Sequence, residues 1–341
     1  MRPYRPPLEG RRRGLRLDFN ENTVGPPAGV LEALAGLDAD DVAMYPEYAP
    51  ARARLARLFG VSPREAVLTA GTDDAIHLAV DTFANPGDEV LVVEPTYAMY
   101  RFYAERAGAR VRAVRYTRNL RFPLSRVLAA LKRRPRILFL ATPNNPTGTM
   151  IAPGELRAVL HAAGSTVVFV DEAYGEFSGT STLGWIRRHP NLIVTRTFSK
   201  ARGLAGLRLG SLFANTRLAA ALGHAHSPYS VSTAALAAAV AAAGNQGATD
   251  RYVAEVIRAR AFLEAGLDRL GIRRFPSGGN FVLVDVGSHA TALVAGLARR
   301  GILVRDRRSD FGHAGYVRIT VGTAPQTRRL VSALEALWRR V

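Results

Sequence analysis

The chain has 341 residues, 48% hydrophobic and 22% charged, enough apolar side chain for a substantial core in one or two globular domains. It contains no cysteine, which excludes disulfides, thiolate metal sites and cysteine nucleophiles together, and no metal site is expected. The formal net charge of +18 raises the class of basic nucleic-acid-binding proteins, but the arginines are spread along the whole chain without an aromatic-interleaved basic stripe, so no nucleic-acid partner is expected.

In chain order, the opening MRPYRPPLEGRRRG is basic with no apolar stretch behind it, unlike a secretory signal, and a cytoplasmic location is the expectation. From about residue 65 to 245, short apolar runs alternate with longer amphipathic ones. Val67–Ala70, Glu89–Val93, Ile137–Ala141, Thr166–Val170, Leu192–Thr195 and Leu207–Phe213 read as strands, several apolar throughout as buried parallel strands are. Asp73–Ala84, Tyr97–Ala107 and Glu155–Ala163 carry helical periodicity between them. The alternation predicts an α/β domain over residues 41–245, its mainly parallel sheet flanked by helices. The Ala-rich stretch 233–243 falls short of the ~18 apolar residues of a membrane span, so no membrane association is expected.

Beyond residue 245 the pattern changes to a long charged helix (Thr249–Leu270), a strand (Phe281–Val286), a helix (Ala290–Arg300), a strand (Tyr316–Thr320) and a final helix (Pro325–Arg339). Residues 246–341 therefore predict a smaller α+β domain. Residues 1–40, too short to fold alone, are assigned to it.

Of the 46 basic residues only Lys132 and Lys200 are lysine. Arginine stays protonated at any working pH, whereas a lysine amine can lose its proton and attack a carbonyl. Lys132 lies in the solvated run LKRRPR; Lys200 lies among small and apolar residues in RTFSKARGLAGLRLG. Ligands of open α/β sheets bind beyond the carboxyl ends of the strands. Four predicted strands are followed there by AGTDDAI (70–76), TPNNPTG (142–148), DEAY (171–174) and RTFSK (196–200). Each has a plain structural explanation as a helix cap, a turn or a strand end. Their joint order points to one site.

The combination resembles the fold-type I, class I/II aminotransferases, which are pyridoxal-5′-phosphate enzymes, and most of all their histidinol-phosphate aminotransferase branch. The resemblance runs nearly end to end through DFNEN (18–22), MYPEY (44–48), GTDDAI (71–76), EPTYAMY (94–100), TPNNPTG, VDEAYGEF (170–177), RTFSKARGLAGLRLG (196–210), PYSVS (228–232), GNFVLV (279–284), GILVR (301–305) and RITVG (318–322). It implies the PLP-transferase fold type I and makes Lys200 the Schiff-base lysine and proton shuttle, with Asp171 on the pyridinium nitrogen. Asn145 and Tyr174 would hydrogen-bond the phenolic oxygen, and Tyr97 would stack on the ring. Thr72, Asp73, Thr197, Ser199 and Arg208 would cradle the cofactor phosphate. Tyr45 would reach that phosphate from a second subunit, which implies a homodimer with shared active sites. Arg318 would clamp the carboxylate of glutamate or 2-oxoglutarate, and Arg305 would hold a substrate phosphate. Asn20, Asn280 and Tyr229 would line the substrate side.

The chain departs from that pattern at Val24, where many relatives carry a substrate-facing tyrosine, at Arg202 in place of phenylalanine, and at Asp74 in place of glutamate. The expected reaction is transamination of L-histidinol phosphate with 2-oxoglutarate. An aromatic amino-acid aminotransferase and a threonine-phosphate decarboxylase are the alternatives on the same scaffold.

Overall fold

The computed structural model describes residues 9–338. The outer ends of the expected smaller domain, residues 1–8 and 339–341, lie outside the described residues, as do the start of the basic opening segment and Arg339 of the final helix.

Twelve strands form two sheets among the described residues. In chain order they are β1 (Leu15–Leu17), β2 (Ala66–Thr69), β3 (Glu89–Glu94), β4 (Arg110–Arg115), β5 (Ile137–Ala141), β6 (Val167–Asp171), β7 (Leu192–Thr197), β8 (Gly210–Phe213), β9 (Arg273–Arg274), β10 (Phe281–Asp285), β11 (Ile302–Asp306) and β12 (Tyr316–Thr320). The larger sheet has the order β2-β8-β7-β6-β5-β3-β4. Its ladders from β4 through β7 are parallel, and β8 pairs antiparallel with both β7 and β2. Alternate residues of β3 explain why such strands read as unbroken apolar runs: Leu91 and Val93 pack into the core on one face, Val90 and Val92 into the core on the other. Full burial of side chains of this size contributes about 1.5–3 kcal/mol each.

Two strand expectations change. The run beginning at Leu207 becomes a strand only from Gly210, because Ala205–Leu207 forms a 3₁₀ turn and Arg208 takes a left-handed backbone, φ 54°. β4 escapes an apolar-run search because its sequence, RVRAVR, belongs to the half-exposed edge of the sheet, where charged side chains guard an unpaired strand.

The smaller sheet has the order β1-β11-β12-β10-β9, and the pairing of β1 with β11 is parallel. The helices Gln246–Arg269, Ala290–Arg299 and Ala324–Trp338 supply Val256, Leu263, Leu293, Leu297, Leu330 and Leu334 to its core. Tyr174, Phe177 and Ala201 enter the same core from the larger sheet's loops, so the two sheets meet around the loops after β6 and β7. From β1 the chain crosses to the larger body, where the helix Val30–Ala35 packs on the Ala-rich helix Thr233–Gly244.

Candidate active site

Register fixes the site. β6 ends at Asp171, flanked by Ala141 of β5 and Thr195 of β7, so its carboxylate sits at the carboxyl edge of the parallel strands. Its Oδ1 accepts the Ala173 N–H at 3.0 Å and the Thr195 hydroxyl at 3.2 Å, and its Oδ2 accepts the Tyr100 hydroxyl at 2.7 Å. Burial pushes its pKa up to about 6 against the pull of these donors.

Lys200 follows β7 in a loop that folds back on Phe198: the Phe198 N–H donates to Leu209 O and the Leu204 N–H to Phe198 O. Phe198 is fully buried among Val30, Leu55 and Leu209, which fixes the loop. The Lys200 Nζ donates to Phe19 O at 2.9 Å and lies 5.8 Å from the Tyr174 ring centre. Burial, then the nearby Arg318 charge, lowers its pKa to about 8, so a minority of the amine is neutral near physiological pH, far more than for an ordinary lysine.

Gly71, at φ +82°, turns the chain from β2 into the helix Thr72–Phe83. A Cβ there would lie 2.6 Å from the Arg208 guanidinium, so glycine is needed for both the backbone angle and the close approach. Arg208 Nη2 donates to Asp73 Oδ2 at 3.2 Å and Nη1 to Ser199 Oγ at 3.4 Å. Tyr97 donates to the other Asp73 oxygen at 2.7 Å, and Thr197 Oγ1 accepts the Ser199 N–H. The Thr72 hydroxyl at this helix start is buried without a hydrogen-bond partner among the described residues.

The segment after β1 closes the site from the other side. Asn20 has φ 55°; its amide donates to the Tyr174 hydroxyl at 2.9 Å, its N–H to Thr320 Oγ1, and its carbonyl accepts from Asn280. Burial raises the Tyr174 pKa. Arg318 donates to Asn145 Oδ1 and to Asp18 O, while its buried Nε has no hydrogen-bond partner among the described residues. Burial, then the Arg307 charge, pulls its pKa down to about 10.

These groups converge on a cavity of about 500 Å³ lined by Thr72, Asp73, Tyr97, Asn145, Asp171, Tyr174, Thr197, Ser199, Lys200, Arg208, Arg305 and Arg318. Twelve of the residues singled out from sequence are thus neighbours in space. Four are not on its wall: Asn20 and Asn280 are fully buried one layer behind it, and Tyr45 and Tyr229 are exposed on the surface, their ring centres 4.4 Å apart. Tyr100, Glu21, Phe19 and Arg307 also line the cavity without having been singled out. Of the departures, Val24 is exposed away from the cavity. Arg202 is buried with its guanidinium 5.9 Å from the Phe59 ring and 5.5 Å from that of Phe198, donating to Gln246. Asp74 accepts the Ala70 N–H and pairs with His226.

Residues 12–334 match the family described as aminotransferase class I and II. The chain belongs to that family. It is 40% identical over 350 residues to a histidinol-phosphate aminotransferase of Symbiobacterium thermophilum, covering 98% of this chain and 96% of that protein. It is 37% identical to the protein of that name from Roseiflexus castenholzii, covering 98% and 95%. Among solved structures, a histidinol-phosphate aminotransferase of Sinorhizobium meliloti in complex with pyridoxal-5′-phosphate superposes with a TM-score of 0.87 at 28% identity, over 97% of this chain and 92% of that one.

Class I and II aminotransferases are pyridoxal-phosphate enzymes, and this cavity fits that cofactor. It holds an amine whose pKa burial has lowered, a buried carboxylate at the sheet edge, and a buried hydroxyl with no partner among the described residues beside an arginine at a helix start, the donor set for an aldehyde, a ring nitrogen and a phosphate. Among the described residues no helix is long and apolar enough to cross a membrane.

Proposed function

We propose that this aminotransferase moves the amine of L-histidinol phosphate to 2-oxoglutarate, giving imidazole-acetol phosphate and glutamate in histidine biosynthesis, as a cytoplasmic homodimer with shared active sites. The observation that carries the reading is the cavity itself, in which Lys200 and Asp171 share one space with Arg305 and Arg318. The names of its relatives at 37–40% identity support the choice of donor.

Bound pyridoxal phosphate supplies an aldehyde for the amine and a ring that takes up the electrons of the broken Cα–H bond. Lys200 would hold that aldehyde through its Nζ, and its amine would serve as the base that takes the proton from the donor Cα. Asp171, its carboxylate fixed by Tyr100 and Thr195, would hold a proton on the ring nitrogen. Asn145 and Tyr174 would hydrogen-bond the phenolic oxygen, and Tyr97 would cover the ring. Backbone amides of Thr72 and Asp73, the hydroxyls of Thr197 and Ser199 and the Arg208 guanidinium hold the phosphate, joined by Tyr45 of the second subunit. Arg318 takes the carboxylate of 2-oxoglutarate and Arg305 the phosphate of the donor, while Asn20 and Asn280 set the wall from behind and Tyr229 borders the substrate entrance.

The test is kcat/KM for L-histidinol phosphate against phenylalanine, each with 2-oxoglutarate as acceptor. Preference for phenylalanine by about tenfold or more would assign the aromatic reaction instead. Lys200→Ala should abolish turnover with every donor, and retention of near-wild-type rates would remove the lysine from its role.

A further inference from the structure

Three arginines face the cavity from the smaller sheet. Arg305 and Arg318 are direct partners across β11 and β12, and Arg307, just past the end of β11 at the start of the short helix Arg308–Phe311, lines the same cavity. Arg307 sits in the run RDRRSD, where a solvated surface charge is the ordinary reading. The structure puts it elsewhere. Arg307 is only 7% exposed, its N–H donates to Tyr316 O at 2.9 Å, and its Nη2 donates to Asp310 Oδ1 at 2.7 Å. Its Nε is buried with no hydrogen-bond partner among the described residues.

Burying a guanidinium with one donor unpaired costs free energy, and placing it near Arg318 adds like-charge repulsion. Asp310 offsets a single charge. Among the described residues that line the cavity, the cations are Lys200, Arg208, Arg305, Arg307 and Arg318 and the carboxylates Glu21, Asp73 and Asp171. A strongly anionic ligand relieves that imbalance. One arginine suffices for a carboxylate, whereas a phosphate monoester has three acceptor oxygens and a charge near −2, enough for two.

We propose that Arg307, held in place by Asp310, is a specificity-determining residue that joins Arg305 in binding the phosphate monoester of the amino donor. This rests on the phosphorylated-donor reading above. Arg318 remains for the carboxylate of the acceptor, so the two half-reactions use different arginines of one wall.

The experiment compares kcat/KM for L-histidinol phosphate and for unphosphorylated L-histidinol in the holoenzyme and its variants. Arg307→Met keeps the apolar stem and removes the charge; the phosphate-to-alcohol ratio should fall about 10- to 100-fold, chiefly through KM. Inorganic phosphate should weaken in parallel as a competitive inhibitor of the same variant. Arg307→Lys should recover part of the ratio, and Asp310→Asn, which leaves the arginine but frees it, should lower the ratio less than Arg307→Met does. An unchanged ratio, or equal loss on both donors, overturns the inference, since a structural role alone would affect both alike. A wild-type ratio near one would overturn the phosphorylated-donor reading itself. A high wild-type ratio kept by Arg307→Met would overturn only the role given to Arg307.

Discussion

The Tyr100 hydroxyl donates to Asp171 Oδ2 at 2.7 Å where both residues are buried, and the Tyr100 ring stacks on Phe139 with centres 5.0 Å apart. The donor is thus fixed by the core of the sheet. Removing it withdraws support from the ionised carboxylate, so Tyr100→Phe should raise the Asp171 pKa further above 6. The acidic limb of the kcat/KM profile then moves to higher pH by about 1 unit, and the pH dependence of the bound cofactor's absorbance moves with it. Coincident limbs for variant and wild type would contradict the coupling.

Asp171 also opposes folding at neutral pH. Its pKa is about 6 in the fold against an ordinary 3.8, so the folded protein holds the proton more tightly. The favourable contribution of the protonated acid is complete below 3.8 and is lost as pH rises through 6. Asp171→Asn should therefore stabilise the cofactor-free protein by about 1–3 kcal/mol at pH 8, with the gain shrinking as pH falls toward 4, while transamination collapses. Urea unfolding of the cofactor-free proteins at several pH values measures it; a gain that grew on acidification would have the wrong sign.

Gly71→Ala meets two obstacles together, a φ of +82° and the Arg208 guanidinium 2.6 Å from the added carbon. Strain of this kind costs about 1–3 kcal/mol, and displacing Arg208 should weaken pyridoxal-phosphate binding by about tenfold or more. Equilibrium dialysis of the cofactor reads the second effect separately from the melting temperature.

Tyr45 and Tyr229 pack ring against ring at a tilt of 39° while remaining 76% and 62% exposed, and Val42 and Met44, close to Tyr45 in sequence, are exposed as well. Large apolar side chains grouped on a surface mark an association face. With shared active sites, Tyr45→Ala and Lys200→Ala are each impaired alone, yet mixing them equally should restore about a quarter of the wild-type sites, because each mixed dimer contains one intact site. Absence of any recovery after subunit exchange, verified by mixed-tag capture, would count against a shared site.

The apolar runs of β3, β5, β6 and β7 were legible because strands buried on both faces leave no alternation to obscure them. β11 lay inside the quoted GILVR and β4 inside RVRAVR, but half-exposed strands with arginine on them lack that signal. Most of the cavity wall was legible too, since Lys200 stands out in a chain that otherwise uses arginine and the loops after the strands carry it. Tyr100 and Glu21 lay within the quoted EPTYAMY and DFNEN, yet nothing local shows that the first reaches Asp171, 71 residues away. Arg307 resembled its exposed neighbour Arg308 in sequence; only the return of β12 against it tells the two apart.

Arg305 and Arg318 occupy the same rung of the smaller sheet, and like charges directly opposite weaken an antiparallel pair. An anion received at either arginine therefore eases the repulsion between two strands as well as filling a pocket. The backbone amides of Val304–Asp306 and Val317–Ile319 should then exchange their hydrogens more slowly once substrate is present, so occupancy is readable from a part of the molecule where no bond is made or broken.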